Sequence, residues 1–183
     1  ILLAQNNFAY YDEEAMTDPM TVPTGTKHMG TDLFNTVNAD IFAEFNKATL
    51  SVAASAPDFA AFVDAQAKLN LENLEGVTVF GWVNPADMAK VRKALKEDLK
   101  YVEGFAKQGY VGTVGGVNLY TKKDAVAGTI IIATKDAVTL FNKKGTEVEQ
   151  ERDGNIRKNS IFSRKYYFAA LTDETKAVKI IIA

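Results

Sequence analysis

Residues 109–145 read GYVGTVGGVNLYTKKDAVAGTIIIATKDAVTLFNKKG. The stretch holds apolar runs at Gly116–Tyr120 and Thr129–Ala133, and a third around Ala137–Phe141. Glycines and a Lys-Lys-Asp corner separate them, and both are turn chemistry. The spacing predicts short β-strands joined by shaped turns, not a catalytic device. Gly112, Gly115 and Gly116 lack the Gly-Lys-Ser/Thr of a P-loop and the strand–helix setting of a dinucleotide loop, so a tight β-turn is the reading.

The composition sets bounds. The chain has 183 residues, 47% of them hydrophobic, enough for one or two cored domains. A formal net charge of −2 is not that of a nucleic-acid binder, and no sequence-specific nucleic-acid binding is expected. The absence of cysteine excludes disulfides, thiolate metal sites and thiol nucleophiles. No apolar run approaches the roughly 20 residues that cross a bilayer, so no membrane partner is expected. The start, Ile1-Leu2-Leu3-Ala4, is not a signal peptide.

Outward from that stretch, residues 1–31 read as irregular, with Phe8, Tyr10 and Tyr11 in a short strand or loop. Asp12, Glu13 and Glu14 are weighed as a cation site and as a solvated loop, and the loop is favoured. Asp18-Pro19 and Val22-Pro23-Thr24-Gly25 are turn signals. Leu33, Phe34, Val37, Ile41, Phe42 and Phe45 follow helical spacing and predict a long amphipathic helix over 31–48. Residues 49–54 are small and read as a hinge. Ser55-Ala56-Pro57-Asp58 predicts a helix capped by Ser55, with Phe59, Phe62, Val63 and Ala67 inward, ending near Leu69-Asn70.

Val77–Val83 is apolar throughout and predicts a strand buried on both faces. Asn84-Pro85 opens another helix, with Met88, Val91, Leu95 and Leu99 inward and Lys90, Arg92, Lys93, Lys96 and Lys100 on a solvated face. In the tail, Glu147, Glu149 and Glu151 alternate, which puts three carboxylates on one side of an extended segment. A metal site and a strand edge facing water or basic residues are weighed, and the edge is favoured. Ser160–Leu171 and Ala177–Ile182 read as strands around turns at Asp153-Gly154-Asn155 and Thr172–Thr175. Arg152, Arg157, Lys158, Arg164 and Lys165 set both charge signs close together, which suits contacts between subunits. His28 is the single histidine and has no Cys or second His nearby, so no triad or zinc site is expected. No catalytic, cofactor-binding or metal-binding residue is assigned, and no cofactor is implied.

Two segments, GTVGGVNLYTKKDAVAGTIIIATKDAVTLFNKKG (112–145) and TEVEQERDGNIRKNSIFSRKYYFAALTDETKAVKIII (146–182), resemble the C-terminal part of tailed-phage major capsid proteins. Upstream, the long helix, the short TLSV link, a second helix and LEGVTVFGWVNPADMAKVRK follow the same family's order. The resemblance covers nearly the whole chain, most clearly residues 71–182, and is one of texture without a catalytic fingerprint.

It implies an α+β, HK97-like phage capsid fold. Residues 1–50 and 143–183 would form a discontinuous peripheral domain with the helix at about 31–48 as its spine and the last strands beside it. Residues 51–142 would form the axial domain. The family's N-terminal arm and extended loop are expected to be absent, so the chain corresponds to the C-terminal two-thirds of such a protein.

The implied function is that of a structural subunit which self-assembles, through pentamers and hexamers, into an icosahedral shell enclosing double-stranded DNA. It would lie in the virion capsid, be assembled in the bacterial host cytoplasm, and have scaffolding, portal and protease proteins as partners. Near-neutral charge suits a wall that faces DNA without gripping it. Some relatives join subunits through a Lys–Asn bond. Asn155 and Asn159 lie in the corresponding region, but the lysine would lie in the absent loop and the crosslink is not expected. The alternatives are an encapsulin-type nanocompartment shell and, from another class, a small carboxylate-dependent hydrolase with acids converging in a cleft.

Overall fold

The computed structural model describes residues 1–71, 76–100 and 111–182. Its elements run β1 (Leu2–Tyr11), α1 (Asp12–Thr17), α2 (Thr21–Phe45), β2 (Leu50–Ala54), α3 (Phe59–Ala67), β3 (Val79–Val83), α4 (Pro85–Ala94) and α5 (Lys96–Leu99). Then follow β4 (Thr113–Val114), β5 (Val117–Thr121), β6 (Thr129–Thr134), β7 (Val138–Asp153), β8 (Lys158–Leu171) and β9 (Ala177–Ile182). Two compact units share these elements: Ile1–Phe42 with Leu140–Ala170, and Ala43–Thr139 with Leu171–Ala183. The chain passes between them within α2, β7 and β8.

The first unit is a three-stranded sheet in the order β1-β8-β7 with α2 against one face. Ten consecutive residues of β1 pair antiparallel with β8, from Leu2 opposite Tyr167 to Tyr11 opposite Lys158. Ala4 and Tyr167 on the sheet pack with Leu33 and Val37 of the helix, joined by Ile41 and Leu140. Leu33, Val37 and Ile41 recur at four-residue steps, which puts them on one face of α2.

Residues 1–31, expected to be irregular, are thus a strand, a short helix and the first turns of α2. The three adjacent acids, expected in a loop, form the first turn of α1, where the positive end of the helix favours them. The long helix begins ten residues earlier than expected. Pro23 lies in its first turn, where no intrahelical donor is lost, and Asp18 accepts from the Met20 amide just before it (2.9 Å). Gly25 carries no side chain because the Phe8 ring occupies that space.

The second unit is built on a mixed six-stranded sheet, β2-β9-β6-β3-β5-β4. β2 runs parallel to β9 and β3 to β5; the other neighbours are antiparallel. On one face, Phe62, Ala65 and Leu69 with Met88, Val91 and Leu95 cover Val79, Val83, Val117, Ile130, Ile132, Val178 and Ile180.

The segment 49–54, expected to be a hinge, is therefore a sheet strand, since small residues fit a strand as well as a linker. The last strand, expected beside the spine helix, pairs with β2 and β6 in this second unit. The cap of α3 is Asp58, whose carboxylate accepts from the Ala61 amide (2.9 Å), not Ser55. The shift moves the buried face to Ala61, Phe62 and Ala65 and leaves Phe59 and Val63 exposed; the helix ends at Ala67, short of the expected Leu69-Asn70.

In the opening stretch, β4 and β5 form a hairpin whose two turn residues, Gly115 (φ 55°) and Gly116 (φ 83°), both need the left-handed region that glycine reaches freely. The third apolar run is the start of β7, a 16-residue strand that continues through Gly145 and the alternating acids. Gly109 and Tyr110 lie outside the described residues, as does the side chain of Leu99.

Strand β3 is less symmetric than its apolar sequence implies, because its residues alternate between buried and half-buried. Val79, Gly81 and Val83 face the core. A Cβ on Gly81 would stand 2.8 Å from Leu119 Cδ2 and 2.9 Å from Val117 Cγ1. Gly81→Val is expected to lower stability by about 1–3 kcal/mol through overpacking, read as an earlier thermal transition by circular dichroism. An unchanged transition would contradict this packing.

Candidate functional site

Among the described residues, the polar chemistry is distributed over local anchors and is not gathered in one cleft. At the start of α1, Asp12 receives Asn159 Nδ2 (2.6 Å) and Arg152 Nη2 (2.8 Å), and its amide donates to the Arg157 carbonyl (3.1 Å). The Asn159 hydrogen bond, then the Arg152 guanidinium, holds the Asp12 carboxyl below its ordinary pKa. Asn159 is buried and its amide nitrogen is committed to this corner; Asn155 is exposed in the turn after β7.

The Tyr167 ring, 1% exposed, sits in the first unit's core and donates its hydroxyl to Asp40 on α2. Burial and the neighbouring carboxylate push the phenol well above its ordinary pKa, so it remains a donor. Tyr167→Phe is expected to cost about 1.5 kcal/mol, because Asp40 is half-exposed and water replaces part of the bond. Denaturant unfolding of the two proteins measures it, and equal midpoints would assign the hydroxyl no role.

In the second unit, Asp87 is 1% exposed. It accepts from the Gly128 amide (2.6 Å) and pairs with Lys90 Nζ (2.9 Å). Beside it, Asn84 caps α4 through the Ala86 amide (3.0 Å) and donates Nδ2 to the Ala125 carbonyl (2.8 Å). Burial pushes the Asp87 carboxyl up, but Lys90 and the Gly128 amide outweigh it, and its pKa lies below the ordinary aspartate value. The knot fixes the segment between β5 and β6 to the first turn of α4.

The alternating acids on β7 do not converge. Glu147 pairs with Lys144, Glu149 pairs with Arg164 across the strands, and Glu151 is exposed. With Lys143 and Tyr166, the two ion pairs line an open polar trough of about 480 Å³. This is the edge facing basic residues, here within the same chain, and it removes the best candidates for a carboxylate hydrolase. His28 is exposed on α2 and borders a shallow hollow of about 350 Å³ with Asp18 and Asp32. Among the described residues, no three His, Asp or Glu side chains are placed to share a metal ion. The cations Lys90, Arg92, Lys93, Lys96 and Lys100 are exposed along α4 and α5, as the sequence implies.

One surface was not singled out from the sequence. On the sheet face opposite the α3–α4 layer, Phe45, Phe80, Trp82 and Tyr120 form an aromatic row with ring centroids 4.8–6.2 Å apart. With Lys135 they line an open cleft of about 330 Å³. The period-2 placement of Phe80 and Trp82 was the available signal.

No family model matches the chain. The major capsid protein of Staphylococcus phage phiMR11 is 31% identical over 150 residues, which are 80% of this chain and 54% of that protein. The chain therefore spans about half the length of this curated relative.

Among solved structures, the capsid of cyanophage P-SCSP1u superposes with a TM-score of 0.80 at 14% identity, over 99% of this chain and 72% of that one. The holo-SrpI encapsulin complex of Synechococcus elongatus PCC 7942 gives 0.70 at 11% identity, over 98% and 74%. The chain is thus a sequence relative of a phage major capsid protein and carries the HK97-like capsid fold.

Proposed function

We propose that the chain works as the shell-forming part of the major capsid subunit of a tailed bacteriophage or prophage, and that its work is self-association rather than catalysis. The observation that carries this reading is the 31% identity to a phage major capsid protein on a chain with that fold. Many weak contacts, each repeated between copies, gain strength from multivalency and close an icosahedral shell around double-stranded DNA. On this reading the first unit, with α2 as spine, is the peripheral domain, and the second unit is the axial domain whose copies meet as pentamers and hexamers. Scaffolding, portal and protease proteins are its partners, the bacterial cytoplasm is where it assembles, and the virion capsid is where it ends.

An encapsulin-type compartment is the second reading, favoured by the likeness to the Synechococcus elongatus complex. Sedimentation of the gene product that carries this sequence, followed by analysis of what the particles contain, separates the two. Fast-sedimenting particles that contain DNA when made beside the neighbouring genes support the phage reading. Particles that contain a bound cargo enzyme support the compartment. Material that sediments only as single subunits counts against both.

A further inference from the structure

The turn between β7 and β8 holds a chemistry that the fold does not use. Asp153, the last residue of β7, is the only Asp or Asn of this sequence that a glycine follows. Residues 153–157 are all exposed, and 154–157 form the turn itself. A main-chain amide nitrogen can attack the side-chain carbonyl carbon of the residue before it, provided that nothing blocks the approach and the backbone can rotate.

Three observations meet those conditions here. Gly154 carries no Cβ to shield its nitrogen, and a Cβ built there would meet nothing within 4 Å, so packing does not hold this peptide in place. The Asp153 side chain is already folded toward the turn, because its Oδ1 accepts from the Asn155 amide (2.9 Å). That Asx-type bond lays the carboxyl carbon over the Gly154 peptide unit. The segment is also a solvent-exposed loop tip, where the main chain has most freedom. Asp12 and Asp87, by contrast, are each tied by an ion pair and a second hydrogen bond at a first helical turn. Asn159 is buried.

We infer that Asp153 is a spontaneous modification site, converted to isoaspartate through a succinimide formed with Gly154. The Gly154 nitrogen forms a bond to Asp153 Cγ and gives up its proton, and a carboxyl oxygen leaves as water. A second water then opens the ring. Attack at Cγ restores aspartate, whereas attack at the Asp153 main-chain carbonyl leaves the chain running through Cβ and Cγ. Water is the sole co-reactant, and nothing is oxidised or reduced. The product lengthens the main chain by one methylene beside Arg152, which pairs with Asp12 (2.8 Å), and before Arg157, whose carbonyl accepts from the Asp12 amide (3.1 Å). The aged protein is therefore expected to hold the start of α1 less firmly. The inference needs only this turn and does not rest on the shell reading.

The gene product that carries this sequence is to be incubated near neutral pH in heavy-oxygen water, then digested and compared with fresh protein. Among the peptides of this sequence, the one that contains Asp153 is expected to gain one heavy oxygen. It is also expected to accept a methyl group from S-adenosylmethionine in the presence of an isoaspartyl methyltransferase. Gly154→Ala is expected to slow both gains at least several-fold, because its Cβ crowds the attacking nitrogen. Asp153→Asn is expected to speed ring formation, because an amide releases ammonia more readily than a carboxylate releases water. Each such event adds a negative charge that isoelectric focusing resolves. This second variant decides the matter if the alanine variant does not fold. An Asp153 peptide that stays unlabelled, equal labelling in Gly154→Ala, or an Asp153→Asn protein that keeps its amide overturns the inference.

Discussion

Phe62→Ala is expected to destabilise the second unit by about 3–5 kcal/mol, a large share of the stability of a domain this size. The ring is fully buried at the centre of α3's inner face, and it packs in the cluster that joins α3 and α4 to the six-stranded sheet. Truncation removes its transfer free energy and leaves a cavity that the surrounding strands cannot close. β3, β6 and β9 lie in the sheet interior, held on both sides by hydrogen-bonded neighbours. The effect should appear as a large loss of denaturant midpoint. Phe59→Ala, one turn earlier and half-exposed, should cost well under 1 kcal/mol, in the range of ordinary surface changes. Equal effects at the two positions would place the buried face of α3 elsewhere.

Asp87→Ala is the second large effect, expected at about 2–3 kcal/mol, because it leaves the Gly128 amide without its charged acceptor. The same residue gives stability a pH dependence whose sign is fixed. Its folded pKa lies below the ordinary value of 3.8, so the native state binds fewer protons than the unfolded chain there. The contribution is fully present above 3.8 and is lost as pH falls through the lower, folded value. Asp12 and Asp173 are shifted in the same direction and add to the slope. Asp87→Asn should therefore be less stable than the parent at neutral pH and approach it only as pH falls through the lowered folded value, where the Asp87 carboxyl takes up its proton. A constant difference from pH 7 to pH 2 would mean that the carboxylate charge plays no part.

What the sequence disclosed was decided by distance along the chain. Asn84-Pro85 announces α4 because a cap and its helix are adjacent, and the Gly115-Gly116 pair announces the β4–β5 hairpin for the same reason. Residues 1–31 stayed hidden because Pro23 and Gly25 read as turn residues, although both are compatible with the helix once Phe8 of another element fills the space beside the glycine. β1 carries little hydrophobic alternation, and its pairing is set by β8 some 150 residues later. The polar anchors were illegible on the same grounds. Asp87 looks like an ordinary first-turn acid until Gly128 arrives 41 residues on, and Tyr167 meets Asp40 across 127. The family resemblance carried what spacing could not, since the self-association proposed for the chain needs no compact sequence signature.

Electron microscopy of the gene product that carries this sequence, expressed alone and with its neighbouring genes, decides whether the proposed shell-forming role holds. Closed icosahedral particles are expected, with a reconstructed wall that contains this chain's two units arranged as pentamers and hexamers. Persistent monomers, with no shells under any of these conditions, would contradict it.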